Sequence, residues 1–143
     1  MSKNNDYADF ELSQKLKEYG YNQWAEFCVT MYDEDFVYDE DPEHPESHKA
    51  GDVRVYDFNN KNCDNGDNTY SMPHLYDVQK WLRKNHGIIL TIESCSKGFY
   101  AAIRLSCDIH NKITFGCYEE YPDALLNGCK RSLIFVQHSD QIV

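Results

Sequence analysis

Apolar positions change period along this chain, and each change marks an element. Between residues 9 and 19, Leu12, Leu16 and Tyr19 recur one helical turn apart, with Asp6 or Asp9 placed to cap the segment and Gly20 to end it. A short amphipathic helix is expected there. From Phe27 the period drops to two. Phe27, Val29 and Met31 fall on one face and Cys28, Thr30 and Tyr32 on the other, as a strand requires. Val53-Arg54-Val55-Tyr56-Asp57-Phe58 alternates in the same way. The Asn65-Gly66 step between that run and Asn68-Thr69-Tyr70 favours positive φ and a hairpin turn, so the flanking strands are expected to lie antiparallel. Ser71 is placed to cap a second helix, with Pro73 in its first turn, Leu75, Val78, Trp81 and Leu82 as its buried stripe and Gly87 as its stop. The runs 88–93, 98–105 and 112–117 then read as a three-stranded meander joined by short polar turns. A last helix begins near Tyr121-Pro122 and carries Leu125, Cys129 and Leu133 on one face, with Leu126 beside them. The order helix, strands, helix, strands, helix predicts an α+β fold: a mostly antiparallel sheet with about three helices packed on one face.

Size and charge sharpen this picture. The 143 residues suit a single domain spanning 1–143, and 41% hydrophobic with 14% aromatic residues supply a core and exclude a wholly disordered chain. The polar start, Met1 to Asp6, lacks an apolar run, and no later stretch reaches the ~20 apolar residues of a spanning helix. A soluble, cytoplasmic protein with no membrane partner is therefore expected. The charge is unevenly spread. Residues 1–75 hold 17 acidic and 6 basic side chains, a net of −11, whereas 76–143 hold 7 and 8, leaving the whole at −10. A sequence pI near 4.9 argues against direct nucleic-acid binding, because phosphates require a concentrated positive surface. The acidity peaks in a segment at about 33–51, where Asp33, Glu34, Asp35, Asp39, Glu40 and Asp41 repel one another and Pro42 and Pro45 remove backbone donors. That predicts an exposed acidic loop, with Phe36-Val37-Tyr38 as an edge strand within it.

No residue pattern specifies a reaction. The six cysteines are scattered, with no Cys-x-x-Cys spacing, so they read as free, mostly packed thiols rather than as a disulfide framework or a zinc site. Cys95, ending a strand, and Cys129, on a helix stripe, both read as structural. His44-Pro45-Glu46-Ser47-His48 offers metal-ligand types, but its prolines argue against the helix that would align the two histidines. Asp64-Asn65-Gly66-Asp67 resembles part of a calcium loop; setting Gly66 sixth puts Lys61 first and Met72 twelfth, where carboxylates belong. No catalytic residue, metal or cofactor is assigned. Glu93 and Glu119-Glu120 would serve as general acids only if a cleft raised their pKa. Eleven tyrosines, by contrast, exceed what a small core needs and offer large contact area at little entropic cost, though aromatics also favour strands for their own sake. Tyr38, Tyr56 and Tyr100, together with Asp33, Glu34, Asp35, Asp39, Glu40 and Asp41, form the candidate interaction surface.

The second half also carries a resemblance. The Trp81-Leu82 helix, the aromatic hairpin with Gly98-Phe99-Tyr100-Ala101-Ala102-Ile103, and the closing Tyr121-Pro122-Asp123-Ala124-Leu125 helix follow one another over Leu75 to Leu133. Leu12, Leu16 and Gly20-Tyr21 precede them. This arrangement resembles a group of small proteins encoded by phages and integrated mobile elements of gut bacteria. The resemblance implies a fold and a genomic setting and brings no activity or catalytic residues with it; the acidic segment at 33–51 departs from the group. The closing strand, strand and helix also resemble antitoxin-like ββα units, a likeness of topology alone. The functional expectation is a non-enzymatic interaction module of phage or mobile-element origin that binds a protein partner, preferentially a basic one. In its specific form the protein is an acidic decoy for a basic host factor. The alternatives are a small enzyme with a fold-assembled Cys, His and carboxylate site, an antitoxin-like binding protein, and a homodimer joined through an exposed strand.

Overall fold

The computed structural model describes residues 6–32, 36–38, 46–48, 51–57, 59–106 and 108–141. Helix α1 spans Phe10–Glu18, as the Leu12 and Leu16 spacing predicts, and both leucines are fully buried. Asp9 is its cap, its carboxylate accepting from the Leu12 N–H at 2.9 Å. Gly20 ends it at φ 90°, a conformation that lets the Tyr21 N–H reach back to the Leu16 carbonyl at 2.8 Å.

Strand β1, Phe27–Met31, has Cys28 and Val29 buried on opposite faces, because it is the middle strand of a sheet. Two short strands follow, β2 at Phe36–Tyr38 and β3 at Glu46–His48, paired antiparallel with Phe36 opposite His48. The Phe36-Val37-Tyr38 strand is thus present, but part of the expected acidic loop is its partner. Asp33, Glu34, Asp35, Asp39, Glu40, Asp41 and His44 lie outside the described residues.

Strand β4, Val53–Tyr56, and strand β5, Thr69–Met72, pair with opposite edges of β1 and not with each other, giving the order β4-β1-β5. The hairpin expected across Asn65-Gly66 does not form. Gly66 has no positive φ, and the connection instead follows β1, with Ala25 and Asn60 exchanging backbone bonds at 3.1 and 3.2 Å. It then turns through a 3₁₀ helix at Asn62–Asp64. Side-chain amides hold that turn. Buried Asn62 donates to the Tyr21 carbonyl and accepts from the Ser71 N–H, both at 2.8 Å, and the Lys17 ammonium donates to the carbonyls of Gly66 and Thr69. Both edges of β1 thereby gain a partner, an outcome that the local turn preference cannot anticipate.

Helix α2 is Leu75–His86, with Leu75, Val78, Trp81 and Leu82 buried as the pattern requires and Gly87 at φ 64° closing it. Its cap is His74, whose Nδ1 accepts from the Tyr76 N–H, and not Ser71. Ser71 still belongs to β5, opposite Cys28, because the strand runs on until Met72 is buried.

The meander forms as β6 (Ile88–Cys95), β7 (Gly98–Leu105) and β8 (Asp108–Tyr118). Helix α3, Tyr121–Gln141, lies across it and buries Leu125, Cys129, Leu133 and Val136. The approach is close. A Cβ on Gly128 would come within 2.8 Å of Leu90 Cδ1 and 3.2 Å of Ala101 Cβ. The main core joins α1, α2 and α3 to Ile88, Leu90, Ala101 and Ile103 on one face of this sheet.

The α+β class holds, with two three-stranded antiparallel sheets where the pattern suggested one. The division follows from α2, which begins three residues after β5 and packs on β6 and α3, while β5 packs on α1. No helix among the described residues is long and apolar enough to cross a membrane.

Candidate interaction surface

Strand β4 is an edge of the first sheet, and all four of its residues are exposed. Its alternation places Val53 and Val55 on the face shared with Met31 and Val29, their partners on β1. Val29 is buried there, but Val53 and Val55 remain 43% and 48% exposed because nothing among the described residues packs over that end of the sheet. The two valines open onto a trough of about 330 Å³ between the sheet, α1 and α3, floored by Phe10, Val29, Met72 and Leu126. Its rim is acidic. Asp9 and Asp123 line it, and Glu11 stands next along α1. A single ammonium, Lys130, bridges Asp9 at 2.8 Å and Glu11 at 3.2 Å, so two carboxylates share one cation.

The residues singled out in the sequence fall in different places. Tyr56 lies on β4, 39% exposed, its hydroxyl bonded to that of Tyr32. Tyr100 is on the second sheet, half-buried on the outward face with Glu93, Arg104 and Lys112. It is not brought next to Tyr56, since they belong to separate sheets. Tyr38 lies in β2. The acidic residues at 33–35 and 39–41 lie outside the described residues. Val53, Val55, Asp9 and Asp123 were not singled out as a surface, because a Val-x-Val alternation predicts a strand without saying whether that strand is an edge.

Glu93 does not have the environment of a general acid. Lys112, 3.2 Å away, holds its carboxyl below the usual carboxylate range, and Tyr100, hydrogen-bonded to the same carboxylate, is pushed up.

The thiols divide into two kinds. Cys28 and Cys129 are buried, and burial pushes the Cys129 thiol up to about 12, as suits a packed side chain. Cys63, Cys95 and Cys117 are exposed, contrary to the expectation of mostly packed thiols, and Cys95 is no core residue. Strand ends project into solvent at the hairpin tips, which the local pattern does not reveal. Among the described residues no group of three or more His, Cys, Asp and Glu side chains is placed to hold a metal ion.

A second concavity, of about 310 Å³, lies between α2 and the segment after α1. Trp24, 59% exposed with the Lys61 ammonium over its ring, stands at its mouth, and Asp77, Lys80 and Lys84 project from α2. The buried Tyr21 hydroxyl has no hydrogen-bond partner among the described residues, and burial raises its pKa.

Compared with protein-family models, curated proteins and solved structures, the chain matches none.

Proposed function

We propose that the protein is a non-enzymatic interaction module that accepts an extended, basic segment of a protein partner as an added strand on β4. The observation that carries this reading is the pair Val53 and Val55, exposed on an edge strand and opening onto an apolar trough with a carboxylate lip. An added strand would pair with the outward backbone groups of β4 and seat alternate apolar side chains beside the valines. Lys or Arg residues on that same trough-side face would then stand near Asp9 and Asp123. The net charge of −11 on residues 1–75 would steer such a partner and make association salt-sensitive. The wider role in this reading is that of an accessory protein of a phage or mobile element, its acidic half occupying the basic surface of a host factor. An enzymatic reading rests on the second concavity, where Asp77, Lys80 and Lys84 meet exposed Trp24.

A fluorescent peptide with Val and Lys in turn at every second position and Thr between them, titrated with the protein at low and high salt, tests the β4 reading. Saturable binding is expected, weakening at least about tenfold at high salt. Val55→Lys should abolish binding while changing folding stability by about 0.5 kcal/mol or less, as for other exposed sites. Absence of binding at low salt, or full affinity in Val55→Lys, would overturn it.

A further inference from the structure

At the tip of the second sheet, Cys95 and Cys117 both face solvent with their sulfurs 3.9 Å apart, although β7 runs between their strands. Neighbouring strands are spaced about 4.8 Å apart, so side chains on next-but-one strands ordinarily stand about 10 Å from each other. Three local features close that gap. Cys95 is the last residue of β6 and pairs with Gly98, which places no side chain between the thiols. The end of β8 occupies the vacated space: a Cβ on Gly98 would stand 2.2 Å from the Tyr118 carbonyl oxygen and 3.0 Å from its carbon. Finally, the register slips between Ala101 opposite Phe115 and Phe99 opposite Tyr118, inserting one extra residue in β8. Gly116, at φ +81°, makes that bulge and turns Cys117 onto the face that holds Cys95 and Tyr100.

We propose that Cys95 and Cys117 are a redox-active dithiol that closes to an intrachain disulfide by exchange with a low-molecular-weight disulfide of the glutathione class. One cysteine, as its thiolate, attacks a sulfur of glutathione disulfide, breaking that S–S bond and releasing the first glutathione. The second cysteine, as its thiolate, attacks the protein sulfur of the mixed disulfide, forming the Cys95–Cys117 bond and releasing the second glutathione. The pair loses two electrons and two protons, and the two glutathione thiols carry them away. Contact with the Cys95 sulfur raises the pKa of the Cys117 thiol and Lys97, on the intervening turn, acts against that rise, so either cysteine serves as the attacking group. Closure would tie β6 to β8 over the glycine of β7. This site is on the other sheet from β4 and stands or falls independently of the binding reading.

The test is peptide mapping by mass spectrometry of the full chain, first reduced, then treated with glutathione disulfide and quenched in acid. The expected product links Cys95 to Cys117 within one chain and retains no glutathione at either residue. Cys95→Ser and Cys117→Ser should each lose that product completely and retain one glutathione at the remaining thiol. Glutathione held on both residues of the unaltered chain, a link between two chains, or both thiols still reduced while exposed Cys63 is modified would each overturn the proposal.

Discussion

The two three-stranded sheets of this protein are held by different forces. The sheet of β6, β7 and β8 turns one face to α2 and α3, and its Ile88, Leu90, Ala101 and Ile103 belong to the main core. The sheet of β4, β1 and β5 contributes no residue to that core cluster, although Cys28, Val29, Tyr70 and Met72 are individually buried. Its connection is held by buried amides, Asn62 above all, and by the Lys17 ammonium on two loop carbonyls. Burial of apolar area is additive and non-directional, so the second sheet tolerates a free outer face. A network of amides is directional, so removal of one donor or acceptor strands its partner.

The largest expected effect falls on the shared core. Leu82→Ala, at a fully buried position of α2, should lower unfolding free energy by about 2–5 kcal/mol in urea titration, the range for a buried leucine whose cavity only partly collapses. A loss no larger than that of an exposed residue would break the contrast between the sheets.

Asn62→Ala should cost about 1–3 kcal/mol, because it strands the Tyr21 carbonyl and the Ser71 N–H without partners. The contrast is sharpened by where the loss appears. Hydrogen exchange should quicken in β5 and the 59–68 connection before it does in β6 and β7.

The third effect is a slope against pH. Burial holds the Cys129 thiol near 12 in the folded chain against 9.0 ordinarily, so the unfolded state loses this proton first as pH rises. Its contribution is therefore fully present below pH 9 and is lost through the window up to about 12. The rate of loss is about 1.4 kcal/mol per pH unit. Urea titrations across this window should show that slope in the unaltered chain and its disappearance in Cys129→Ala. An unchanged slope would show that the thiol is not sealed beneath α3.

Several elements could be read from spacing alone. Leu12 and Leu16, and the Leu75, Val78, Trp81, Leu82 stripe, identify helices because one buried face must recur at the helical period. The glycines that end both helices are legible for the same local reason. The strand runs of the meander were equally plain. Other features were hidden. Ser71 has the chemistry of a cap and serves in a strand, and Asn65-Gly66 has the chemistry of a hairpin turn and serves in a longer connection. In both cases long-range pairing with β1 outweighs a local preference worth little by itself. The β4 surface and the dithiol are further from view, since each depends on elements distant in sequence: Val55 meets α3 across the trough, and Cys95 meets Cys117 across a glycine.

By itself the sequence determined the α+β class, the three helices, most strand runs and the concentration of negative charge in the first half. These follow from periods and sums that any fold of the chain must respect. Only the tertiary structure decided that the strands divide into separate sheets, that β4 is an edge, and that two thiols come to within 3.9 Å. Those outcomes depend on which strand edges find partners and on how closely backbone can approach a residue without a side chain, and neither is encoded within a single turn of the chain.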